Sequence, residues 1–456
     1  MRKTLYKYQQ EVVDRATEST ALFWEMGLGK TITSIEIFKK FYDQGKIDTL
    51  FVMCPISMID EWCREFENQT GLKAIKYKDL VKLASKNDMS LTEYMSVYDI
   101  HCVVLNYDMV WRVNDYYWLN DRCMLICDES HRIKNVSSKI GKYMKFLKIK
   151  TKYKICLTGT PQSQGYIDYY NQLYFLDKLD MSFNSFKDRY CIYESKTFNG
   201  VKIKQLAGYK NVGEFENYFL KKCEFLKIQR VYDEVIKYHK VEIPTTKEYQ
   251  RVLSDRVIYF GDVDNVICDR KEIDKYLAGD ESSIIQEHKY LDNPGAYRYG
   301  LRMLLNSEYK LTWIKDFLED YDKRVVIFYN YNVELDSLKK LLEKMGRPYS
   351  VYNGEEKSFE NFKKYDNGVC LCNYQSGSVG INDLVISNIF IAYSPSDNYI
   401  NWEQAKKRID RNGQEHTPIY YFLCSGLEDR IYHSLSVGKN FDDRVFVEEM
   451  EGDLIK

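Results

Sequence analysis

The sequence is poor in proline and in long apolar runs, and it carries almost no net charge. With 7 prolines and 45% hydrophobic residues among 456, composition argues against long disordered linkers and allows two or three packed domains. The formal net charge of -1 excludes a global basic field, so any nucleic-acid binding must depend on a local patch. No apolar run reaches the length of a transmembrane helix, and we therefore predict no membrane partner.

The sequence also lacks closely paired cysteines of the CxxC type, although it has 12 cysteines. Cys123 and Cys127 lie in one apolar run, and Cys370 and Cys372 lie in another. This placement indicates reduced core thiols of a cytosolic protein rather than zinc ligands. The abundance of Tyr, Lys, Ile and Asn is typical of an AT-rich genome, which favours a bacterial or bacteriophage origin.

Short apolar runs alternate with helical patterns in both halves of the chain. The runs in the first half are 21–24, 50–54, 103–105, 124–127 and 155–157, and those in the second are 325–328, 369–372, 389–392 and 420–423. Continuous apolar runs predict parallel strands buried on both faces, so the predicted fold class is α/β with two parallel-sheet domains. Residues 165–310 between them are charged, rich in tyrosine and helical in pattern.

The run that ends at Trp24 leads into Gly27-Leu28-Gly29-Lys30-Thr31, which has the form of a phosphate loop. Gly27 and Gly29 would let backbone amides point at phosphate oxygens, Lys30 would reach the outer phosphates, and the Thr31 hydroxyl would bind Mg²⁺. The full pattern has glycine where this chain has Trp24. The loop predicts an ATP site with Mg²⁺ as the second cofactor.

Two carboxylates follow the run 124–127, and both fit the chemistry of such a site. Parallel strands bring their carboxyl ends to one edge, so Asp128 would hold Mg²⁺ beside the loop. Glu129 would polarise the attacking water and is the predicted catalytic carboxylate.

Four segments together resemble the Swi/Snf-type ATPases of helicase superfamily two. They are Glu25–Thr31, Asp128–Asn135, Leu157–Pro161 and Gln404–Gln414. The resemblance implies two tandem RecA-like domains with a mainly helical insert, and activity as a DNA-stimulated ATPase that translocates on double-stranded DNA. The corresponding division is 1–225 for the first domain with the start of the insert, 226–310 for the insert and linker, and 311–456 for the second domain.

The resemblance also implies roles for individual residues. Gln9 would read adenine, Gly380 would contact ATP, and Arg408 and Arg411 would be catalytic arginine fingers. Since these arginines are three apart, we predict that they share a helix face. Candidate DNA contacts are Ser57, Asn106, Tyr107, Arg132, Ser376 and Ser378.

Two other functions fit the same residues. One is a helicase that separates DNA strands or acts on RNA, and the other is an ATP-dependent DNA-binding switch that loads a partner such as a nuclease. A recombination or replication factor would be another suitable protein partner. In each case we expect a cytoplasmic, nucleoid-associated protein.

Overall fold

The computed structural model describes nine stretches of the chain, which folds as two compact units, 1–230 and 231–456. The described residues are 2–112, 119–162, 165–198, 201–227, 232, 234–255, 294–377, 383–411 and 413–454. Two predicted site residues, Ser378 and Gly380, lie outside this set. Among the described residues, no helix combines the length and apolar character needed to cross a membrane.

The first unit is built on a seven-stranded sheet in which all paired neighbours are parallel. The seven strands of this sheet are β1 (Ser19–Trp24), β2 (Thr49–Cys54), β3 (Lys73–Lys76), β4 (Ile100–Asn106), β5 (Cys123–Asp128), β6 (Tyr153–Leu157) and β9 (Glu224–Leu226). Two further strands, β7 (Cys191–Phe198) and β8 (Val201–Tyr209), form a separate hairpin. The sheet order is β3-β4-β2-β5-β6-β1-β9, and β7 pairs with β8 in the antiparallel hairpin.

Helices connect and cover these strands. They are α1 (Lys7–Arg15), α2 (Lys30–Asp43), α3 (Ile59–Thr70), α4 (Tyr77–Lys86), α5 (Leu91–Tyr98), α6 (Tyr107–Val110), α7 (Lys139–Lys148), α8 (Tyr169–Phe175), α9 (Phe183–Tyr190) and α10 (Val212–Tyr218). A strand followed by a crossover helix is the connection that parallel neighbours require.

The second unit has a six-stranded sheet, also with parallel neighbours. Its strands are β10 (Lys237–Glu242), β11 (Val325–Tyr329), β12 (Tyr349–Tyr352), β13 (Val369–Asn373), β14 (Ile389–Ala392) and β15 (Ile419–Cys424), in the order β10-β15-β14-β11-β13-β12. Its helices are α11 (Lys247–Asp255), α12 (Pro294–Leu304), α13 (Glu308–Asp320), α14 (Asn332–Met345), α15 (Glu360–Lys364), α16 (Tyr374–Gly377), α17 (Tyr399–Lys406), α18 (Glu428–Ser436) and α19 (Asp443–Leu454).

Strand β5 shows why these apolar runs are continuous. All six of its residues are buried. Leu125 and Cys127 pack into the core on one face of the sheet, whereas Met124 and Ile126 pack into the core on the other. A strand with a core on each face has no position for a solvated side chain except at its ends.

The predicted fold class, two parallel-sheet α/β domains, is confirmed, and each predicted apolar run lies within a strand. The predicted core cysteines Cys123, Cys127, Cys370 and Cys372 are buried thiols. The predicted helical stretch 165–310 also contains four strands, β7 to β10, which the sequence pattern did not indicate. The division into three parts at 225/226 and 310/311 stays a prediction.

Candidate functional site

The carboxyl ends of three neighbouring strands form the candidate site in the first unit. Strand β6 lies between β1 and β5, and its last residue, Leu157, pairs with Leu22 of β1 and with Asp128 of β5. The loop after β1, the end of β5 and the segment after β6 therefore meet at one edge of the sheet. This is the edge at which open parallel sheets bind ligands.

The phosphate loop has the left-handed glycines that its pattern predicts. Gly27 has φ 77° and Gly29 has φ 75°, and Gly29 is the N-cap of α2. Thr31 lies in the first turn of α2, where backbone amides and the helix dipole favour an anion. The Lys30 ammonium donates to the carbonyl oxygens of Trp24 at 3.0 Å and Glu25 at 3.2 Å. These contacts place the amine at the sheet edge, near the Asp128 carboxylate at the end of β5.

Gln9 packs directly against the phosphate loop. Its side chain is 2% exposed, and its amide Nε2 donates to the carbonyl of Leu28 at 3.0 Å. Its Oε1 accepts from the amide of Tyr6 at 2.8 Å, which caps α1. A Cβ on Gly29 would overlap with Gln9 Nε2, so this close approach requires glycine at position 29. Gln9 therefore contacts the loop itself, while its place in a nucleotide site and its role toward adenine stay predictions.

Asp128 is a buried carboxylate at the end of β5. It accepts from the Trp62 indole at 2.8 Å and from the Glu129 amide at 3.0 Å. Burial raises the pKa of Asp128 to about 7, and the neighbouring Glu129 carboxylate acts in the same direction. The Trp62 hydrogen bond and the Lys30 charge oppose this shift. A carboxylate that burial destabilises as an anion gains strongly from a nearby cation.

Glu129 follows in a left-handed conformation, with φ 54°. Its Oε2 accepts from the Thr158 hydroxyl at 3.3 Å, and the His131 Nδ1 lies 3.3 Å from the same oxygen. Thr158 follows β6 and is fully buried. The side chain of Glu129 is thus held beside the phosphate loop by contacts from two different segments.

Similarity to known proteins identifies the family. A family model described as the SNF2-related domain matches residues 6–207. Chromodomain-helicase-DNA-binding protein 7 of Homo sapiens is 25% identical, over 94% of this chain and 15% of that protein. Residues 6–207 thus match an SNF2-related domain, and the chain is similar to Swi/Snf-type ATPases over most of its length. DNA repair protein rhp54 of Schizosaccharomyces pombe is 24% identical, over 95% of this chain and 56% of that protein.

The chain spans less than two thirds of the length of either relative. A solved structure, the Sulfolobus solfataricus SWI2/SNF2 ATPase core in complex with dsDNA, is 18% identical with a TM-score of 0.44. That comparison covers 98% of this chain and 92% of the archaeal chain. The family predicted from the sequence motifs is confirmed.

In the second unit, the two predicted finger arginines follow α17. The prediction that one helix carries both is wrong, because α17 ends at Lys406 and the next residues form turns. Arg408 is 6% exposed, and its amide donates to the Ala405 carbonyl at 3.0 Å. Arg411 is partly exposed. The helix thus ends just before the first arginine, and both arginines lie in the non-helical residues that follow it.

The predicted DNA contacts occupy different environments. Ser57 and Arg132 are exposed, and Asn106 and Ser376 are partly exposed. Tyr107 is buried, and its hydroxyl donates to the Asp128 carbonyl at 2.6 Å. In this structure Tyr107 supports the end of β5 rather than facing solvent.

Three side chains at the site were given no role from sequence. Trp62 binds Asp128, while Thr158 and His131 contact Glu129. His131 and Thr158 lie in two of the four segments that resemble the family, whereas Trp62 lies outside them. Their partners became visible only once the sheet order brought β2, β5 and β6 together.

Proposed function

We propose that this chain is a DNA-stimulated ATPase that translocates on double-stranded DNA and remodels protein–DNA complexes or joint DNA structures. The observation that carries the proposal is the meeting of Lys30, Asp128 and Glu129 at one edge of the first sheet. The names of two relatives, a helicase-DNA-binding protein and a DNA repair protein, support DNA as the substrate.

The residues at this edge fit Mg²⁺ and a nucleoside triphosphate. A hydroxyl from Thr31 and a carboxylate from Asp128 are the oxygen ligands that Mg²⁺ prefers, the carboxylate directly or through water. The backbone amides after Gly27 and Gly29 would bind phosphate oxygens, Lys30 would hold the outer phosphates, and Gln9 would face the adenine. When bound, Mg²⁺ would neutralise charge on the phosphates.

Glu129 is the proposed catalytic carboxylate. Its Oε2, held by Thr158 and His131, would orient a water molecule and polarise it for attack on the outer phosphorus. Arg408 and Arg411 of the second unit would stabilise charge on the transferring phosphoryl group, and Gly380 would add a contact to ATP.

The proposed DNA contacts are mostly short polar groups that hold phosphates without reading sequence. They are Ser57, Asn106 and Arg132 of the first unit, with Ser376 and Ser378 of the second. Because the chain matches only part of its relatives, further partners such as a nuclease or a recombination or replication factor belong to the proposal as well.

The first prediction tests the ATP site with a matched pair of lysines on α2. Lys30→Ala should lower ATP turnover roughly 100-fold or more, because it removes a phosphate contact made in the transition state. Lys39→Ala, which removes only a surface ion pair with Asp43, should leave turnover unchanged. Steady-state ATPase rates with duplex DNA measure both. Equal ATPase rates for Lys30→Ala and wild type would contradict the assignment of the ATP site to this loop.

The choice of nucleic acid separates the proposal from its two alternatives. Stimulation of turnover by duplex DNA supports the translocase, whereas stimulation by single strands or RNA alone supports a strand-separating or RNA helicase. Displacement of a third strand from a DNA triplex requires movement along the duplex. A protein that hydrolyses ATP on duplex DNA without displacing the third strand would be a binding switch.

A further inference from the structure

A short segment of the second unit, Tyr393–Asn398, has its carbonyl groups bound by side chains from distant parts of the chain. It connects β14 to α17, and we call it the clamped segment. Lys310 donates to the Tyr393 carbonyl at 2.8 Å, and the Tyr374 hydroxyl donates to the Ser394 carbonyl at 3.0 Å. Such contacts fix a connection that has no regular secondary structure of its own.

Arg302 of α12 makes the most deeply buried of the charged contacts to Asp397. The arginine is 1% exposed, and its guanidinium donates to Asp397 Oδ1 at 2.8 Å and to the Pro395 carbonyl at 2.8 Å. The plane of this group also lies over the Tyr331 ring, 5.4 Å from its centre. Arg298, one helical turn earlier, lies 3.5 Å from the other oxygen of Asp397. Two arginines of one helix therefore hold a single carboxylate.

Asp397 lies directly before the N-cap residue of α17. Its own carbonyl accepts from the Phe441 amide at 2.9 Å. The next residue, Asn398, is the N-cap of α17, and its side chain accepts from the Asn401 amide at 3.0 Å. The position of Asp397 therefore sets the direction in which α17 leaves the clamped segment.

That direction matters because α17 leads to the predicted finger arginines. The helix has 8 residues and ends two positions before Arg408. At about 1.5 Å per residue it is about 12 Å long, so a rotation of about 5° at its start moves its end by about 1 Å. A misplacement of about 1 Å can cost a reaction roughly 100-fold in rate.

We propose that Arg302 and Asp397 are positioning residues that fix α17 and thereby aim Arg408 and Arg411. This inference rests on the proposed function, in which those arginines act on ATP. Neither Arg302 nor Asp397 touches the nucleotide in this proposal. Their effect passes through the orientation of one helix.

The test begins with Asp397→Asn, which keeps the shape of the side chain and removes the charge that Arg302 and Arg298 share. We expect DNA-stimulated kcat to fall roughly tenfold or more, with an unchanged KM for ATP. The matched control is Asp322→Asn. Asp322 pairs at 3.2 Å with Arg347, another arginine of this unit that is 8% exposed and holds backbone carbonyls. Because Asp322 follows α13 and Arg347 precedes β12, neither residue lies on α17 or in the clamped segment, and the loss of their pair should leave kcat unchanged.

A double-mutant cycle with Arg411→Ala distinguishes positioning from a general loss of stability. If Asp397 acts through the arginines, the fold-loss in kcat caused by Asp397→Asn should be smaller once Arg411 is alanine, because only its effect through Arg408 remains. The same fold-loss in both backgrounds would overturn the inference. A different result, an Arg411→Ala variant with wild-type kcat, would instead refute the finger role in the proposed function.

Urea unfolding of each variant accompanies the kinetics. If Asp397→Asn does not fold, Arg302→Lys takes its place in the same cycle. Lysine keeps the buried charge but cannot reproduce the forked contact to Asp397 and the Pro395 carbonyl. The expected and contradicting outcomes are the same for this variant.

Discussion

At the scale of single residues, Glu129 combines an unusual backbone conformation with the position proposed for the catalytic carboxylate. Residues other than glycine seldom adopt positive φ, and the φ of 54° places Glu129 in this minority. The side-chain contacts from Thr158 and His131 hold the strained residue in place. Strain of this kind is concentrated at sites that must present a group in one orientation.

Glu129→Gln should separate binding from hydrolysis. The variant keeps the phosphate loop and Asp128, so we expect ATP affinity within about twofold of wild type. It loses the group that polarises water, so turnover should fall roughly 100-fold or more. Fluorescent-nucleotide titration and single-turnover hydrolysis measure the two effects.

Asp99→Asn is the matched control for this prediction. Asp99 is also a carboxylate residue at positive φ, 58°, but it caps the C-terminus of α5 and is not at the site. It should leave both quantities unchanged. Collapse of ATP affinity in Glu129→Gln, with normal turnover of the ATP that does bind, would show that Glu129 does not polarise water.

The motifs located the charged groups of the site, but not the contacts that orient them. Roles for Lys30, Asp128 and Glu129 could be proposed from sequence, since a phosphate loop and a carboxylate pair at a strand end have characteristic chemistry. The Trp62 contact to Asp128 joins residues 66 positions apart and depends on the packing of α3 against the sheet. No local pattern encodes that packing.

At the scale of secondary-structure elements, the loop between β1 and α2 is fixed by its contact with α1. Gly29 must combine a positive φ with room for the Gln9 amide. Any side chain at position 29 would displace Gln9 or the loop itself. The geometry of the phosphate loop therefore depends on how α1 packs against it.

Gly29→Ala and Gly71→Ala form a matched pair that isolates this contact. Both glycines have φ 75°, but a Cβ at Gly71 meets nothing within 4 Å. Alanine at Gly71 should cost only the left-handed strain, about 1–2 kcal/mol of unfolding free energy. Alanine at Gly29 adds overpacking against Gln9, about 1–3 kcal/mol more, and should weaken ATP binding.

Chemical denaturation and nucleotide titration measure this pair. Adding Gln9→Ala to Gly29→Ala should recover part of the lost stability, because it removes the overlapping amide. Equal stability losses at both glycines would contradict the proposed packing of α1 on the loop.

The burial of a strand decided whether it could be predicted from the sequence. Strands with a core on both faces, such as β5 and β11, appear as continuous apolar runs, and these were found. Strands β3, β9 and β10 lie at sheet edges, and the six residues of β10 are mostly exposed charged or aromatic side chains. An edge strand gains its hydrogen bonds from one neighbour and needs no apolar run, so its sequence resembles that of a loop or helix.

At the scale of the whole molecule, the near-neutral charge limits how DNA can be bound. With a net charge of -1, long-range attraction cannot supply the affinity, so binding must come from local phosphate contacts. Such contacts release counterions, and the affinity for duplex DNA should fall as salt rises.

The last prediction concerns coupling between the two units. Arg411→Ala should leave ATP binding by the first unit and DNA affinity unchanged, because neither the phosphate loop nor the proposed phosphate contacts include Arg411. The loss of a finger should lower DNA-stimulated turnover by roughly 10³-fold. Arg444→Ala, which removes an exposed arginine of the same unit that pairs with Asp442, is the control and should behave as wild type. ATPase rates with and without duplex DNA, at several salt concentrations, give both the stimulation and its salt dependence. Stimulation that persists at the wild-type level in Arg411→Ala would mean that DNA activates hydrolysis without this arginine.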